Sequence, residues 1–324
     1  MQQPQKNNNQ QQVPPKQAGA KQMIAEETFT TSVIGGVGIG KTFNNVLAAK
    51  IYAKDNPQTG KKGRKVLILN FQNEDGYAKF KTLPPTHDAI IKFVNQKTIE
   101  IRQITSIDSD GRPMPMPRKV EVMKMVLNNF RNGLVIFDDV DGYAAYGASS
   151  DKDLVGLLMG LRHRGCHTLF AHQAWRKMGV AEVENLRFIR LHKANDNPLS
   201  LPADKLHTLD KHMCMIAHYA VEAQFELANR LYEEGKLKHE QWIAAKSYHI
   251  YIDRAKRRLF PIHEKNFELA VRRYCSRDKK VLVEEISEMI FEDAINPSQK
   301  NKPETRAKAI KRLIDKFKKM YLKK

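Results

Sequence analysis

Gly35-Gly36-Val37-Gly38-Ile39-Gly40-Lys41-Thr42 constrains this chain more than any other segment. Four glycines in six residues suit neither a strand nor a helix interior, yet the flanks read as one of each. Upstream, Thr28-Phe29-Thr30-Thr31-Ser32-Val33-Ile34 is β-branched and alternates as a strand does. Downstream, Phe43 to Ala53 reads as a helix with Val46, Leu47 and Ile51 on one face. Strand, glycine turn and helix in that order match G-x-x-x-x-G-K-[ST] at every position. Glycines let successive backbone N–H groups converge on a phosphate, and the new helix turns its positive dipole end toward the anion. Lys41 would reach the β- and γ-phosphates, and the Thr42 hydroxyl would ligate Mg²⁺. Residues Gly35, Gly36, Val37, Gly38, Ile39, Gly40, Lys41 and Thr42 are therefore the expected loop for ATP or GTP.

A second element has the form such a site needs. Leu134-Val135-Ile136-Phe137-Asp138-Asp139 is an apolar strand that ends in two acids. Asp138 is expected to hold Mg²⁺, and Asp139 to act as general base or water-positioner; Asp141 reads as loop. Ser150-Asp151-Lys152-Asp153 then caps a helix carrying Leu154, Val155, Leu157, Leu158 and Leu161. Thr168 to Ala171 suits a strand, with Gln173 just past its end. An amide there can hydrogen-bond both an attacking water and a γ-phosphate. On spacing alone it reads rather as an ordinary polar residue at a strand end.

The order of elements predicts an α/β fold: a P-loop NTPase with a largely parallel central sheet, followed by a helical C-terminal region. The divisions read as a Gln/Asn/Pro-rich disordered arm (1–24), an ATPase core (25–201), a helical region (202–295) and a basic amphipathic tail (296–324). Lys65 to Phe71 is a second buried strand, 108–115 a turn, and Val120 to Phe130 a helix. Helices are expected over His212 to Tyr232 and twice more within 265–295. His207, His212 and His218 lack metal-ligand spacing and read as structural.

Charge is the remaining strong signal. Lys and Arg number 55 against 36 Asp and Glu, a net +19, which points to a polyanionic partner: nucleic acid first, an anionic membrane second. Residues 300–324 hold eleven of the basic residues against Glu304 and Asp315. Ile310, Leu313, Ile314, Phe317 and Tyr321 share one face there, so the segment reads as a basic amphipathic helix. Such a helix can dock on the core and present lysines to phosphates, or lie on a membrane or an acidic shell protein. The loop holding Tyr143 and Tyr146 reads as surface loop. Cys166, Cys214 and Cys275 suggest neither a disulfide framework nor a zinc site, which fits a reducing compartment. No stretch approaches the ~18 apolar residues of a membrane span, and the first residues lack the apolar run of a signal peptide.

The phosphate loop, then Val135-Ile136-Phe137-Asp138-Asp139, then Leu161-Arg162-His163-Arg164-Gly165 before a strand ending in Gln173, resembles the FtsK–HerA superfamily of ring-forming DNA-pumping ATPases. The Phe-Asp-Asp ending and the Arg-His-Arg-Gly run are most similar to the genome-packaging ATPases of tailless double-stranded DNA viruses. The likeness covers roughly Thr30 to Asp196 and not the C-terminal third; many members carry Asp-Glu where this chain has Asp138-Asp139. It implies ATP hydrolysis with Mg²⁺, sequence-independent DNA translocation, a homo-oligomeric ring and a capsid or portal-type partner. It implies work in the host cytoplasm, with virion association as the alternative. It also implies an arginine donated in trans, with Arg162 and Arg164 as candidates and Arg187 and Arg190 behind them. The competing readings are a phage assembly ATPase similar to the zonula occludens toxin family, a conjugative or chromosomal DNA pump, and a non-motor ATP-dependent DNA-binding adaptor.

Overall fold

The computed structural model describes residues 28–58, 60–139, 160–161, 163–201, 209–292 and 296–322. The readings of the 1–24 arm, Asp141, the Tyr143–Tyr146 loop, the 150–158 helix, Arg162 and His207 fall outside these residues.

β1 (Thr30–Ile34) is buried at all five positions, as a strand covered on both faces must be. The glycine loop follows, and α1 (Lys41–Tyr52) leaves it directly. Next come β2 (Lys65–Asn70), β3 (Lys81–Thr82), α2 (His87–Asn95), β4 (Ile101–Thr105) and α3 (Met116–Asn129). β5 (Gly133–Phe137), β6 (His167–His172), α4 (Val180–Asn185) and β7 (Leu186–Leu191) complete the α/β part. These strands pair in parallel in the order β3-β4-β2-β5-β6-β1-β7. The expected P-loop NTPase architecture is therefore present, with the loop-bearing strand well inside the sheet.

One face of the sheet is covered by α2 and α3, whose Ile90, Phe93, Val122, Val126 and Leu127 meet Leu67, Leu69, Val135 and Phe137. The other is covered by α1, where Val46 and Ala49 meet Val33, Val66, Ile68, Leu134 and Ile136. The helix does not bury the face its apolar spacing implies. Val46 is inside, but Leu47 and Ile51 are 47% and 64% exposed, while Asn44 and Asn45 are buried. The inward side of α1 meets polar groups at the strand ends, and a polar network there outweighs the hydrophobic pattern.

The C-terminal third is not purely helical. After α5 (Lys211–Glu233) and α6 (His239–Lys246), β8 (Ile250–Asp253) and β9 (Arg258–Phe260) extend the sheet antiparallel from β7. Strands of four and three residues carry too short an alternation to stand out in sequence. α7 (Glu264–Arg277), α8 (Lys279–Phe291) and α9 (Pro303–Tyr321) follow. Met213, Ile216 and Ala220 of α5 and Phe267 and Val271 of α7 share one hydrophobic cluster with Ile34, Ile189, Leu191, Ile250 and Ile252. Leu313, Ile314, Phe317 and Tyr321 of α9 belong to that cluster too. Asp210 ties the pieces together: it caps α5 through Met213 N, accepts from the Tyr321 hydroxyl at 2.9 Å and pairs with Arg257.

α9 therefore spends its apolar face on the fold, which removes the reading in which that face enters a membrane. Three of its cations are also engaged: Arg312 with Glu285 and Glu292, Lys316 with Glu288, and Lys318 with Glu264 and Glu268. Lys308, Lys311 and Lys319 stay exposed, with no carboxylate partner among the described residues. The three cysteines are buried free thiols. Among the described residues no helix is long and apolar enough to cross a membrane.

Candidate functional site

Parallel strands bring their C-terminal ends to one edge, and the chemistry-bearing residues gather there. The loop leaves β1 and folds back on the sheet, with Gly36 N donating to Lys193 O at 2.8 Å and Gly35 N to His172 O at 3.1 Å. Gly38 and Gly40 have φ of 71° and 82°, in the left-handed region that glycine enters freely. At Gly40 space demands glycine as well, because a Cβ would lie 2.6 Å from that of Ser247. Lys41 turns back over the loop and donates from Nζ to Gly35 O at 2.6 Å and Gly36 O at 2.7 Å. The ammonium is thus held over the loop, where phosphates would sit.

Asp138 and Asp139 end β5 as expected, in different settings. Asp138 is buried, accepts from Asn45 Nδ2 at 3.2 Å, and has a second donor in the Tyr77 hydroxyl. Burial pushes its carboxyl up to about 6, opposed by the Tyr77 hydrogen bond and the nearby Lys41 ammonium. Asp139 is partly exposed and holds φ at 49°, an uncommon conformation for a residue with a Cβ. Gln173, just past β6, donates from Nε2 to both Asp139 carboxylate oxygens at 3.1 and 3.2 Å. The two residues singled out separately in sequence are in direct contact.

The residues fit a divalent cation. Thr42 and Asp138 flank the same 75–77 turn: Gly76 lies against the Thr42 methyl, and Tyr77 bonds Asp138. A hydroxyl and a carboxylate are the hard oxygen ligands Mg²⁺ takes. No group of three His, Cys, Asp or Glu forms a metal cage among the described residues, so a cation here would lean on phosphate oxygens.

The other predicted residues distribute as follows. Arg164 precedes β6, at the opposite edge from the loop, and donates to Leu127 O. Arg187 pairs with Asp253 at 3.0 Å. Arg190 is 1% exposed, so it is removed from the candidates for donation to a neighbour. Asp196 anchors the chain after Gln173, accepting from Trp175 N, Arg176 N and Ser200 Oγ. His212 bonds the Tyr274 hydroxyl at 3.0 Å, and burial lowers the His218 imidazole to about 4, both fitting structural roles. Arg176 and Lys177 were missed. They line a cleft of about 390 Å³ together with Asp139, Gln173 and Asn195. Their available signal was position, three and four residues beyond Gln173.

A glycine loop between strand and helix, at the C-terminal edge of a largely parallel sheet, gives the chain the fold of a P-loop NTPase. No family model matches the chain, and no curated protein matches it. Among solved structures it is similar to the genome-packaging NTPase B204 of Sulfolobus turreted icosahedral virus 2 in complex with AMPPCP, at 12% identity over 73% of this chain and 99% of that one, with a TM-score of 0.42. It is similar to an ATPase of the type III secretion system of pathogenic bacteria, at 12% identity over 67% and 78%, with a TM-score of 0.32. It is similar also to the Legionella pneumophila ATPase DotB, at 13% identity over 67% and 60%, with a TM-score of 0.30. Likeness at this level assigns no role to any residue.

Proposed function

We propose that this chain hydrolyses ATP and uses the energy to move double-stranded DNA, as a motor that packages a viral genome into its shell. The observation that carries the hydrolytic half is the Gln173–Asp139 contact at the edge where Lys41, Thr42 and Asp138 also meet. In this reading the loop N–H groups and Lys41 bind the triphosphate, and Thr42 and Asp138 hold Mg²⁺. The bound ion would supply charge neutralisation at the phosphates. Asp139 takes a proton from water as its oxygen attacks the γ-phosphorus and ADP departs, and Gln173 orients that water. Arg164, and Arg162 beside it in sequence, remain the candidates for donation to a neighbour's site.

Arg176 and Lys177 supply positive charge from the same chain, at the cleft where negative charge would build up. The double substitution Arg176→Ala/Lys177→Ala is expected to lower kcat roughly 10- to 100-fold, at the weaker end of electrostatic contributions for exposed groups. KM for ATP should change much less, because ground-state binding rests on the loop. Steady-state phosphate release at varied ATP measures both; an unchanged kcat rejects the assignment.

The DNA half rests on the motif resemblance, the net +19 and the outward lysines of α9. Replacing Lys308, Lys311 and Lys319 with Gln should weaken duplex binding by a similar factor for any sequence. It should also reduce the slope of log affinity against log salt by about 2–3, near one unit per lost phosphate contact. The decisive experiment is ATP turnover with and without duplex DNA, read beside the oligomer's mass. Stimulation by DNA in a ring-sized assembly supports a motor. DNA binding without stimulation favours the adaptor instead.

A further inference from the structure

Arg190 sits inside β7, between Val33 of β1 and Tyr251 of β8, with its guanidinium sealed from solvent. Beside it lies a cavity of about 270 Å³ walled by Phe29, Tyr52, Phe188, Tyr251 and Phe260, which offers no carboxylate. A buried guanidinium is costly unless it is paired, and pairing normally means an acid. Here Nη2 donates to Oδ1 of Asn45, a neutral amide on α1 that is itself fully buried. That bond decides which way the amide faces. With Oδ1 committed to a cation, Nδ2 points to the other side, where it donates to the Tyr77 hydroxyl at 3.1 Å and to Asp138 Oδ1 at 3.2 Å. Tyr77 is also fully buried and bonds Asp138 in turn. Asp138 thus receives two buried donors, one of them oriented by a positive charge that never touches it.

Taking the site as the Mg²⁺–nucleotide site proposed above, we propose that Asn45 and Arg190 are positioning residues that preset the Asp138 carboxylate for the divalent cation. A direct Arg–Asp pair would orient the carboxylate but compete with the metal for it. An interposed amide orients without neutralising, so the acid keeps its charge for the ion. Groups that hold a metal ligand from behind commonly matter about 10- to 100-fold in metal affinity. The arrangement also explains why an asparagine, rather than an aliphatic residue, occupies position 45 on the inward face of α1.

The test uses Mn²⁺ as a paramagnetic probe, titrated by electron paramagnetic resonance into the full chain with a non-hydrolysable ATP analogue. Asn45→Leu keeps the volume and removes both hydrogen-bonding roles. It is expected to weaken Mn²⁺ binding about 10-fold or more, while nucleotide affinity in EDTA stays within about twofold. The Mg²⁺ needed for half-maximal turnover should rise in parallel. Arg190→Met should show the same loss and Arg190→Lys a smaller one. The double variant Asn45→Leu/Arg190→Met should be no worse than Asn45→Leu alone, since the two act in series. Should Asn45→Leu not fold, Asn45→Ser and the Arg190 pair carry the comparison. Lower thermal stability with Mn²⁺ affinity within twofold of wild type would make the network structural only and overturn the proposal. Wild-type protein that binds nucleotide but no Mn²⁺ would instead overturn the cation site itself, and this inference with it.

Discussion

Lys41→Ala is expected to cut ATP turnover by about 10²–10³-fold, the range seen when one fixed donor to a developing oxyanion is removed. The lysine does two things at once. Its ammonium is the cation the loop itself supplies, and its bonds to Gly35 O and Gly36 O brace the loop from above. Lys41→Met removes both together but keeps the length of the side chain over the loop, so a loss equal to that of Lys41→Ala assigns the effect to the ammonium rather than to the aliphatic stem. Both variants should fold, since Lys41 contributes nothing to any of the hydrophobic clusters. Phosphate release, with melting temperature as control, is the measurement. Wild-type turnover in a well-folded Lys41→Ala protein would show that the loop is not where hydrolysis takes place.

Asp139→Asn should leave binding in place and do nearly the same to chemistry. ATP should still bind, and hydrolysis should fall about 10²–10⁴-fold as the general base is lost. The substitution is unusually clean for a backbone reason: Asn enters the left-handed region more readily than most residues, so the φ of 49° is kept without new strain. Gln173 Nε2 can still donate to the remaining oxygen. Single-turnover experiments should recover unhydrolysed ATP on the protein. Hydrolysis at the wild-type rate would move the base to another residue.

The sequence carried the site further than it carried the fold around it. The glycine loop, Asp138 and Asp139 stand out because their residue types and spacing match a phosphate-site pattern, and Gln173 through the family resemblance; each stands at the end of its expected strand. The long helices α5, α7, α8 and α9 are legible because an amphipathic period over three or more turns survives any tertiary context. What failed depends on contacts between distant segments. Nothing near Asn45 in sequence marks it, because its partner Arg190 lies 145 positions later. Leu47 and Ile51 read as core until the sheet fills the other side of their helix. The β8–β9 hairpin exists because β7 presents an edge to pair with, a fact that no window of four residues contains. Likewise the basic character of the final helix is plain in sequence, whereas the glutamates of α7 and α8 that absorb part of it are not.

The strand order gives the molecule an unbroken connection from its last helix to its nucleotide-loop strand. β9, β8, β7 and β1 are consecutive in the sheet, so three ladders of backbone hydrogen bonds separate the hairpin under α9 from the strand that opens into the glycine loop. At the usual spacing between strands that is about 14 Å. The packing of α9 on the sheet and the glycine loop thus belong to one continuous run of paired strands. Where β7 and β1 end, His192 N bonds Ile34 O and Gly36 N bonds Lys193 O, both at 2.8 Å. The far helix and the glycine loop, remote in sequence, are thereby joined through backbone pairing alone from β9 to the first residues of the loop.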